Sequence, residues 1–586
     1  MTTAAPPVPG SLHRVLHPRT VAVVGASGRP DSLGAQAVEN LLRFGFGGDI
    51  HLVNPRHREL AGQPCYRSLS EVPGEVDLVL VLTPAATTHE VVAEAVAVGA
   101  GGAVVFSSGF AELSESGRRE QERLVRTARR GGLRLLGPNC QGFLHQDSRL
   151  VATFSAAVRP GVHASSGISY VGQSGAVGGS FLDLARERGV GLASWFSTGN
   201  ESDITATEIA ADVVEQDDVR AIAMYLEAIP AGRDWQRLLE RAQQLGKQVV
   251  VLRSGRSPAG RAAATSHTGA MIGPDTAFRL TCERYGAYEV ENLSALLDAA
   301  VALAPGRTMA GAAVGVVTSS GGAGGLAADQ LDDAGLVLAD LQPRTRAEIA
   351  GLIPPYGSTS NPVDVTAQLF TQEGADFASV MRLTLDDDTV DAALVALTQV
   401  VDARAVGIAR ALADAVAGTV KPVCVVWLAA TEQTREARRI LRDGGVPVFG
   451  DLADAARALA LLHRRSTPAA GEPASRSLDA DAVRVIDRVL DDAASPDVAR
   501  SDAARSGAAA LTEWQGGPVL DALGIARPRG GLAADAEEAA AVATRLAGPF
   551  AVKVQTPDLS HKTDAGGVRL GVPPEQVPQA YEDTVG

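Results

Sequence analysis

Three times this chain passes from a Val/Ala-rich segment through a Gly/Ser turn into an Ala-rich segment of helical character: TVAVVGASG from Thr20, ISYVGQSGAVGG from Ile168 and VGVVTSSGGAGG from Val314. Few folds tolerate that grammar. A continuous apolar run without alternation marks a strand covered on both faces, and the helix that follows carries the chain back across the sheet to a parallel neighbour. Three doubly wound parallel α/β sheets are therefore expected, each exposing a turn and a helix N-terminus at the carboxyl edge of its strands.

Further strands fill in each sheet. The first draws on DIHLVNP, VDLVLVLTP, GAVVFSSG and LRLLGPNCQG, and the second on GLASWFSTGN, AIAMYLEAI and KQVVVLRSG, closing in the helix LSALLDAAVALA. The third adds DAALVALT, PVCVVWL and VPVFG. Domains are expected over 1–145, 146–306 and 307–465, followed by a Ser/Ala/Asp/Pro-rich linker over 466–508 with one short helix at DAVRVIDRVL. Residues 509–586 read as helix, helix and a single strand, PFAVKVQ, too little sheet to bury its surroundings. With 586 residues, 46% of them hydrophobic, the chain exceeds what one core can hold.

A net charge of −15 argues against a nucleic-acid or anionic-membrane surface. Any phosphate must then be gripped locally, by backbone amides and a few placed cations. Cys65, Cys140, Cys282 and Cys424 are scattered without a CxxC, which points to reduced thiols rather than a zinc site or a disulfide framework. The N-terminal segment lacks the apolar core of a signal peptide and no run reaches membrane length, so a cytoplasmic protein is expected.

Chemistry enters with two histidines. His267 in TSHTGA and His561 in LSHKTDAGGV each follow a Ser and precede a small Gly-containing turn, among only 10 His in the chain. Such a turn presents an imidazole rather than burying it, and two of them suggest a phosphoryl relay. Against this, a lone histidine in a polar loop is commonly a surface residue or a helix cap. Arg253, Arg256 and Arg261 precede His267 and would offset phosphoryl charge, while Glu227, ending the strand AMYLEAI, would orient the ring. Trp195, Phe196 and Tyr225 are candidate walls of an acid-binding pocket.

The turns themselves are candidate anion cradles. Gly25 to Gly28 is not GxGxxG, and the strand that would end in an acid in a dinucleotide site ends in Val53, Asn54, Pro55, Arg56. NAD is disfavoured; a phosphorylated ribose or a pyrophosphate fits better. Ser174, Gly175 and Ala176, and likewise Ser320, Gly321 and Gly322, sit where a helix N-terminus can hold a phosphoryl group. The run Gly172 to Ala176 also approximates a nucleophile elbow around Ser174, with Ala where the last Gly belongs. Lys553, on the last strand just ahead of His561, is a candidate nucleotide contact.

In order along the chain, GASG, VNP, SSGF, GPNCQG, GQSGA, TGN, YLE, SGRS, SHTGA, SSGG, NPVDVT and SHKTDAGGV resemble the NDP-forming acyl-CoA synthetases, the ADP-forming acetate–CoA ligase family related to succinyl-CoA synthetase. The resemblance implies a Rossmann-like CoA-binding domain, two flavodoxin-like ligase domains and a partial ATP-grasp domain. It implies that CoA is held by Gly25, Ala26, Ser27, Gly28 and Arg56, with Thr83, Pro84, Ser107, Ser108, Gly109 and Asn139. His267 then matches the phosphorylated histidine and Glu227 its orienting carboxylate. Ser174 to Ala176 and Ser320 to Gly322 match the helix ends on its phosphate, His561 a second phosphohistidine, and Lys553 a nucleotide-contacting lysine.

The implied reaction joins a small carboxylic acid to CoA while ATP becomes ADP and phosphate, through phosphohistidine and acyl phosphate. The implied cofactors are CoA and ATP/ADP with Mg²⁺, whose ligands are expected beyond residue 586, and the implied assembly is a homodimer or other homo-oligomer. Because the ATP-grasp domain is expected to continue past that residue, the alternative is a CoA- or acyl-CoA-binding protein or subunit completed by a separate ATP-grasp polypeptide.

Overall fold

The computed structural model describes residues 12–228, 232–257, 259–260, 275–367, 375–466, 478–493, 511–556, 562–563 and 565–585. They divide into two compact units, Met1–Ala470 and Gly471–Gly586. The first unit is built on three sheets.

The first sheet places Thr20–Val24 at its centre, between Asp49–Val53 and Leu78–Val81, and continues outward through Gly102–Val105 to Arg134–Leu136. These strands are parallel, and a short antiparallel hairpin, Glu59–Leu60 with Gln63–Tyr66, trims the other edge. The second sheet is centred on Ser165–Gly172, flanked by Gly191–Ser197 and Ala221–Leu226, with Gln248–Arg253 and Tyr288–Val290 beyond. The third is centred on Ala313–Thr318 and runs through Ala392–Thr398 and Val423–Leu428 to Val448–Phe449, with Val337–Leu338 and Val363–Asp364 on the other side. In every sheet the chain leaves the central strand at the carboxyl edge, where successive crossovers diverge and a crevice opens.

The short strands Glu59–Leu60, Gln63–Tyr66, Tyr288–Val290, Val337–Leu338 and Val363–Asp364 are additions to the expected strands, and one hairpin departs from the expected layout. Gly142–His145 and Leu150–Ala152 form an antiparallel hairpin that extends the second sheet beside Gly191–Ser197, so that sheet begins ahead of the expected boundary at 145/146. Its strands are buried because two sheets share them. Helix Leu33–Phe44 of the first sheet packs on Leu150–Ala152, Asn40 Nδ2 donates to Thr153 O at 2.7 Å, and Phe143 stacks on Phe196 with ring centroids 5.4 Å apart. Continuous apolar cores result: Val23, Leu80 and Leu136 of the first sheet join Val171, Ile222 and Met224 of the second. Tyr170, Trp195 and Val250 on the second sheet's other face join Val316, Leu394 and Phe449 of the third.

All four cysteines are buried and unbonded, and burial pushes the Cys140, Cys282 and Cys424 thiols up to about 12. No helix among the described residues is long and apolar enough to cross a membrane.

In the second unit, helices Ala480–Ala493 and Glu513–Ala522 pack together. The expected lone strand, Phe550–Lys553, has a partner: Val568–Val572 pairs with it antiparallel, and helix Val577–Val585 closes over a small core of Ala539, Ala543, Val572, Val577 and Ala580. That second strand is hidden from a reading of local pattern because VRLGV is short and carries an internal Gly.

An ion-pair cluster also ties the first sheet to the second. Arg134 donates from Nε to Asp203 (2.8 Å) and from both terminal nitrogens to Glu208 (2.9 Å each), while Leu135 N donates to the same Asp203 oxygen at 3.0 Å. The Asp203 side chain is only 7% exposed, and its other oxygen accepts from Arg129 Nε at 3.2 Å, so removing Arg134 leaves it one cation of two while freeing Glu208 of both its donors. Arg134→Ala is expected to destabilise the first unit by about 1–3 kcal/mol, the cost of the hydrogen bonds it leaves unmade. Thermal unfolding read by circular dichroism checks this; an unchanged midpoint would contradict it.

Candidate functional site

The turns leaving the first and second central strands face one another across a cavity of about 1540 Å³. Each turn has a reason to be Gly-rich. Gly25 takes φ +93°, and a Cβ there would lie 2.7 Å from Leu82 O; at Gly34, one turn into the crossover, it would lie 2.1 Å from Gly25 O. Asn54 holds the first turn to the next strand end, donating from Nδ2 to Ala26 O at 2.7 Å while its Oδ1 accepts from Arg56 N at 2.9 Å.

Of the residues singled out from sequence, Gly25, Ser27, Gly28, Arg56, Thr83, Pro84, Ser107, Ser108, Asn139, Ser174, Gly175, Ala176 and Glu227 line this cavity. Ala26 is buried behind the turn, and Gly109 is fixed from behind by Glu112. The Thr83 hydroxyl is buried against the cavity wall with no hydrogen-bond partner among the described residues, as expected of a group that meets a polar ligand. Ser174 caps helix Gly175–Glu187, its Oγ accepting from Val177 N. A hydroxyl committed to its own helix suits an anion cradle better than a nucleophile.

Ser320, Gly321 and Gly322 open the helix Gly321–Asp333 on the third sheet and do not line the cavity. Lys553 lies in the second unit, where its Nζ donates to Glu513 Oε1 at 2.7 Å. His267, His561 and Arg261 lie outside the described residues. Two expectations are corrected. Arg253 is 4% exposed, paired with Glu289 at 3.2 Å and seated over the Phe278 ring, so it is a buried structural cation rather than a free counter-charge. Trp195 and Phe196 are fully buried in the cores on either side of the second sheet and do not line the cavity, because an interior strand such as Gly191–Ser197 sends alternate side chains into opposite covered faces. Tyr225 is half-buried, with its hydroxyl 3.4 Å from Glu227 Oε1.

Beside Glu227 and the exposed Asp31, the cavity is lined by two carboxylates held within its wall that sequence reasoning missed, Glu112 and Glu201. Glu112 Oε1 accepts from Gly109 N (2.6 Å) and Phe110 N (3.2 Å), and its other oxygen accepts from Asn200 Nδ2 at 2.5 Å. Burial alone would raise the Glu112 pKa, but these donors hold it below the usual carboxylate range. Glu201, the next residue after Asn200, turns the other way: it accepts from Thr198 Oγ1 (2.7 Å), Ala206 N (2.7 Å) and Gln173 Nε2 (2.9 Å). Its burial, reinforced by the charge of Glu227, outweighs these bonds and raises its pKa. The sequence signal was present in TGNE, but nothing local shows which way each side chain faces.

Comparison with known proteins follows the same division. Residues 19–146 match the CoA binding domain family, 165–303 the succinyl-CoA ligase like flavodoxin domain, 314–469 the ligase-CoA domain and 502–585 the ATP-grasp domain. The chain is 32% identical to acetate–CoA ligase [ADP-forming] I of Archaeoglobus fulgidus over 97% of its own length and 79% of that protein's. It is also 32% identical to acetate–CoA ligase [ADP-forming] II subunit alpha of Pyrococcus furiosus, covering 76% of this chain and 96% of that subunit. Among solved structures, a dinucleotide forming acetyl-coenzyme A synthetase 1 of Ca. Korarchaeum cryptofilum, in complex with phosphate and ADP, superposes with TM-score 0.69 at 29% identity, over 78% of this chain and 98% of that one.

The Glu112 network yields a pH prediction. Because its folded pKa lies below the unfolded value, its stabilisation is complete above the ordinary carboxylate range and is lost as pH falls through the depressed folded value. Wild type should therefore unfold at a higher temperature than Glu112→Gln at neutral pH, and the gap should close in acid. A gap that stays constant across the titration contradicts this.

Proposed function

This chain belongs to the ADP-forming acetate–CoA ligase family, and from that premise we propose that it joins a small carboxylic acid to CoA while ATP is converted to ADP and phosphate. The observation that carries the reading is the cavity in which the glycine turn of the first sheet meets the helix N-terminus Gly175–Ala176 and Glu227 of the second.

In this reading the first-sheet turn, the rim residue Arg56 and the orphan Thr83 hydroxyl receive CoA, with its phosphates on backbone N–H groups and its thiol end directed toward the second turn. The helix end at Ser174 to Ala176 takes phosphate, and its positive dipole offsets that charge in a protein of net −15. Glu227 orients the His267 imidazole for phosphoryl transfer. The phosphoryl group passes from histidine to the acid's carboxylate oxygen, giving an acyl phosphate. The CoA sulfur then attacks the acyl carbon, the C–S bond forms, the C–O bond to phosphate breaks, and inorganic phosphate leaves. In the ATP-grasp portion Lys553 and His561 are proposed to act on substrate ATP, the source of the phosphoryl group, whose charge a bound Mg²⁺ would offset. Ser320 to Gly322 are proposed as a second phosphate-binding helix end.

Run backwards, the half-reaction of the first unit needs no ATP. Labelled inorganic phosphate and acetyl-CoA, incubated with the full chain, should release CoA thiol and leave an acid-labile, base-stable label on the protein. His267→Ala should carry none. Absence of label with acetyl-CoA and with a panel of other acyl-CoA thioesters would overturn the ligase reading in favour of a CoA-binding protein.

A further inference from the structure

We propose that Glu201 and Gln173 form a polar clamp that positions Glu227, the carboxamide of Gln173 acting as a one-way connector between a buried carboxylate and the backbone of the Glu227 turn. The proposal rests on the reading of Glu227 given above.

The geometry is specific to one polarity. Gln173 Oε1 accepts from Glu227 N at 2.5 Å and from Ala228 N at 2.9 Å, while its Nε2 donates to Glu201 Oε2 at 2.9 Å. An amide has one acceptor end and one donor end, so two backbone donors on one side and a carboxylate on the other permit a single orientation. Glu201 is held in turn by Thr198 Oγ1 and Ala206 N, both on its second oxygen. Five hydrogen bonds thus run unbroken from the helix start at Ala206 to the turn that carries Glu227.

Glu201 also occupies a costly conformation. Its φ is +51°, the left-handed region that a residue with a side chain avoids, at a cost of about 1 kcal/mol or more. Such a conformation persists where surrounding contacts over-determine it, and here they aim a carboxylate at Gln173. Neither residue is a free-standing core polar group, since both line the cavity together with Glu227 and Ala228. Their task is to set the position of the Glu227 carboxylate relative to the phosphate cradle at Ser174 to Ala176, which begins at the residue next to Gln173. One turn of chain therefore both receives the phosphate and fixes the carboxylate opposite it.

The test exploits polarity. Glu201→Gln puts an amide donor against the Gln173 donor, or turns its own NH₂ group onto the Ala206 N–H. Gln173→Glu keeps both backbone bonds but sets two carboxylates face to face. In the double swap Gln173→Glu/Glu201→Gln, the new carboxylate at position 173 accepts from Glu227 N, Ala228 N and the new amide at position 201, whose oxygen accepts from Thr198 and Ala206; every bond of the run returns.

The assay is the labelling of the full chain by inorganic phosphate in the presence of acetyl-CoA, with CoA affinity measured by calorimetry. Each single variant should label about tenfold or more slowly, the cost of an unsatisfied buried polar contact, with CoA affinity kept within about twofold. The double swap should recover most of the loss. Singles whose CoA affinity and thermal midpoint fall together with the labelling rate would show a merely structural role and overturn the proposal. Singles that label at the wild-type rate, or a double swap no faster than the slower single, would overturn the proposal. Glu227→Gln separates the two levels: if it labels normally, the role given to Glu227 has failed, whereas if it is inactive while both clamp variants label normally, only the clamp has failed.

Discussion

Each parallel sheet has two apolar faces that must be covered, and this chain covers the middle sheet by sharing its cores with both neighbours. Val171, Ile222 and Met224 look toward the first sheet, while Tyr170, Trp195 and Val250 look toward the third. Neither neighbour can separate from the middle sheet without exposing a continuous apolar seam to water. The hairpin Gly142–Ala152 is the joint on the first-sheet side, buried from both directions. Because that seam is fixed, so is the placement of the two Gly-rich turns across the cavity.

Four carboxylates line the cavity, Asp31, Glu112, Glu201 and Glu227, and backbone dipoles offset two of them. Backbone N–H groups are directed at Glu112 from Gly109 and Phe110, and at Glu201 from Ala206. These two carboxylates serve as struts, with Asn200 and Gln173 as the connectors that tie them to neighbouring turns. Asn200 and Glu201 are adjacent in sequence yet brace opposite halves of the cavity, the first against the Ser107–Gly109 turn and the second against the turn of Glu227. The loop that carries them is therefore a common support for both halves.

The inner strands of the three sheets were legible from apolar runs, since a strand buried on both faces needs nothing but continuous hydrophobicity, whereas the short strands Glu59–Leu60, Gln63–Tyr66, Tyr288–Val290, Val337–Leu338 and Val363–Asp364 were not. The hairpin at 142–152 was not: its segments are short, begin at a Gly turn, and are stabilised by a sheet that forms later in the chain. For the same reason Trp195, Phe196 and Arg253 read as site residues when taken one at a time. Trp195 and Phe196 are claimed by the cores on either side of the second sheet. Arg253 is claimed by Glu289, which lies 36 residues away.

By itself, the sequence determined the α/β class, the three strand–turn–helix units and the placement of Gly25, Ser174 and Ser320 at carboxyl-edge turns, because those depend on local periodicity and on glycine where the backbone needs it, while the family was legible only as a resemblance carried by an ordered set of motifs. Tertiary structure alone decided that the first two turns share one cavity and the third does not line it, that Asn200 and Glu201 face apart, and that Gln173 is tied to Glu227. Those outcomes depend on how sheets pack across one another, and a side chain's partner 28 or 54 residues away leaves no trace in its neighbours along the chain.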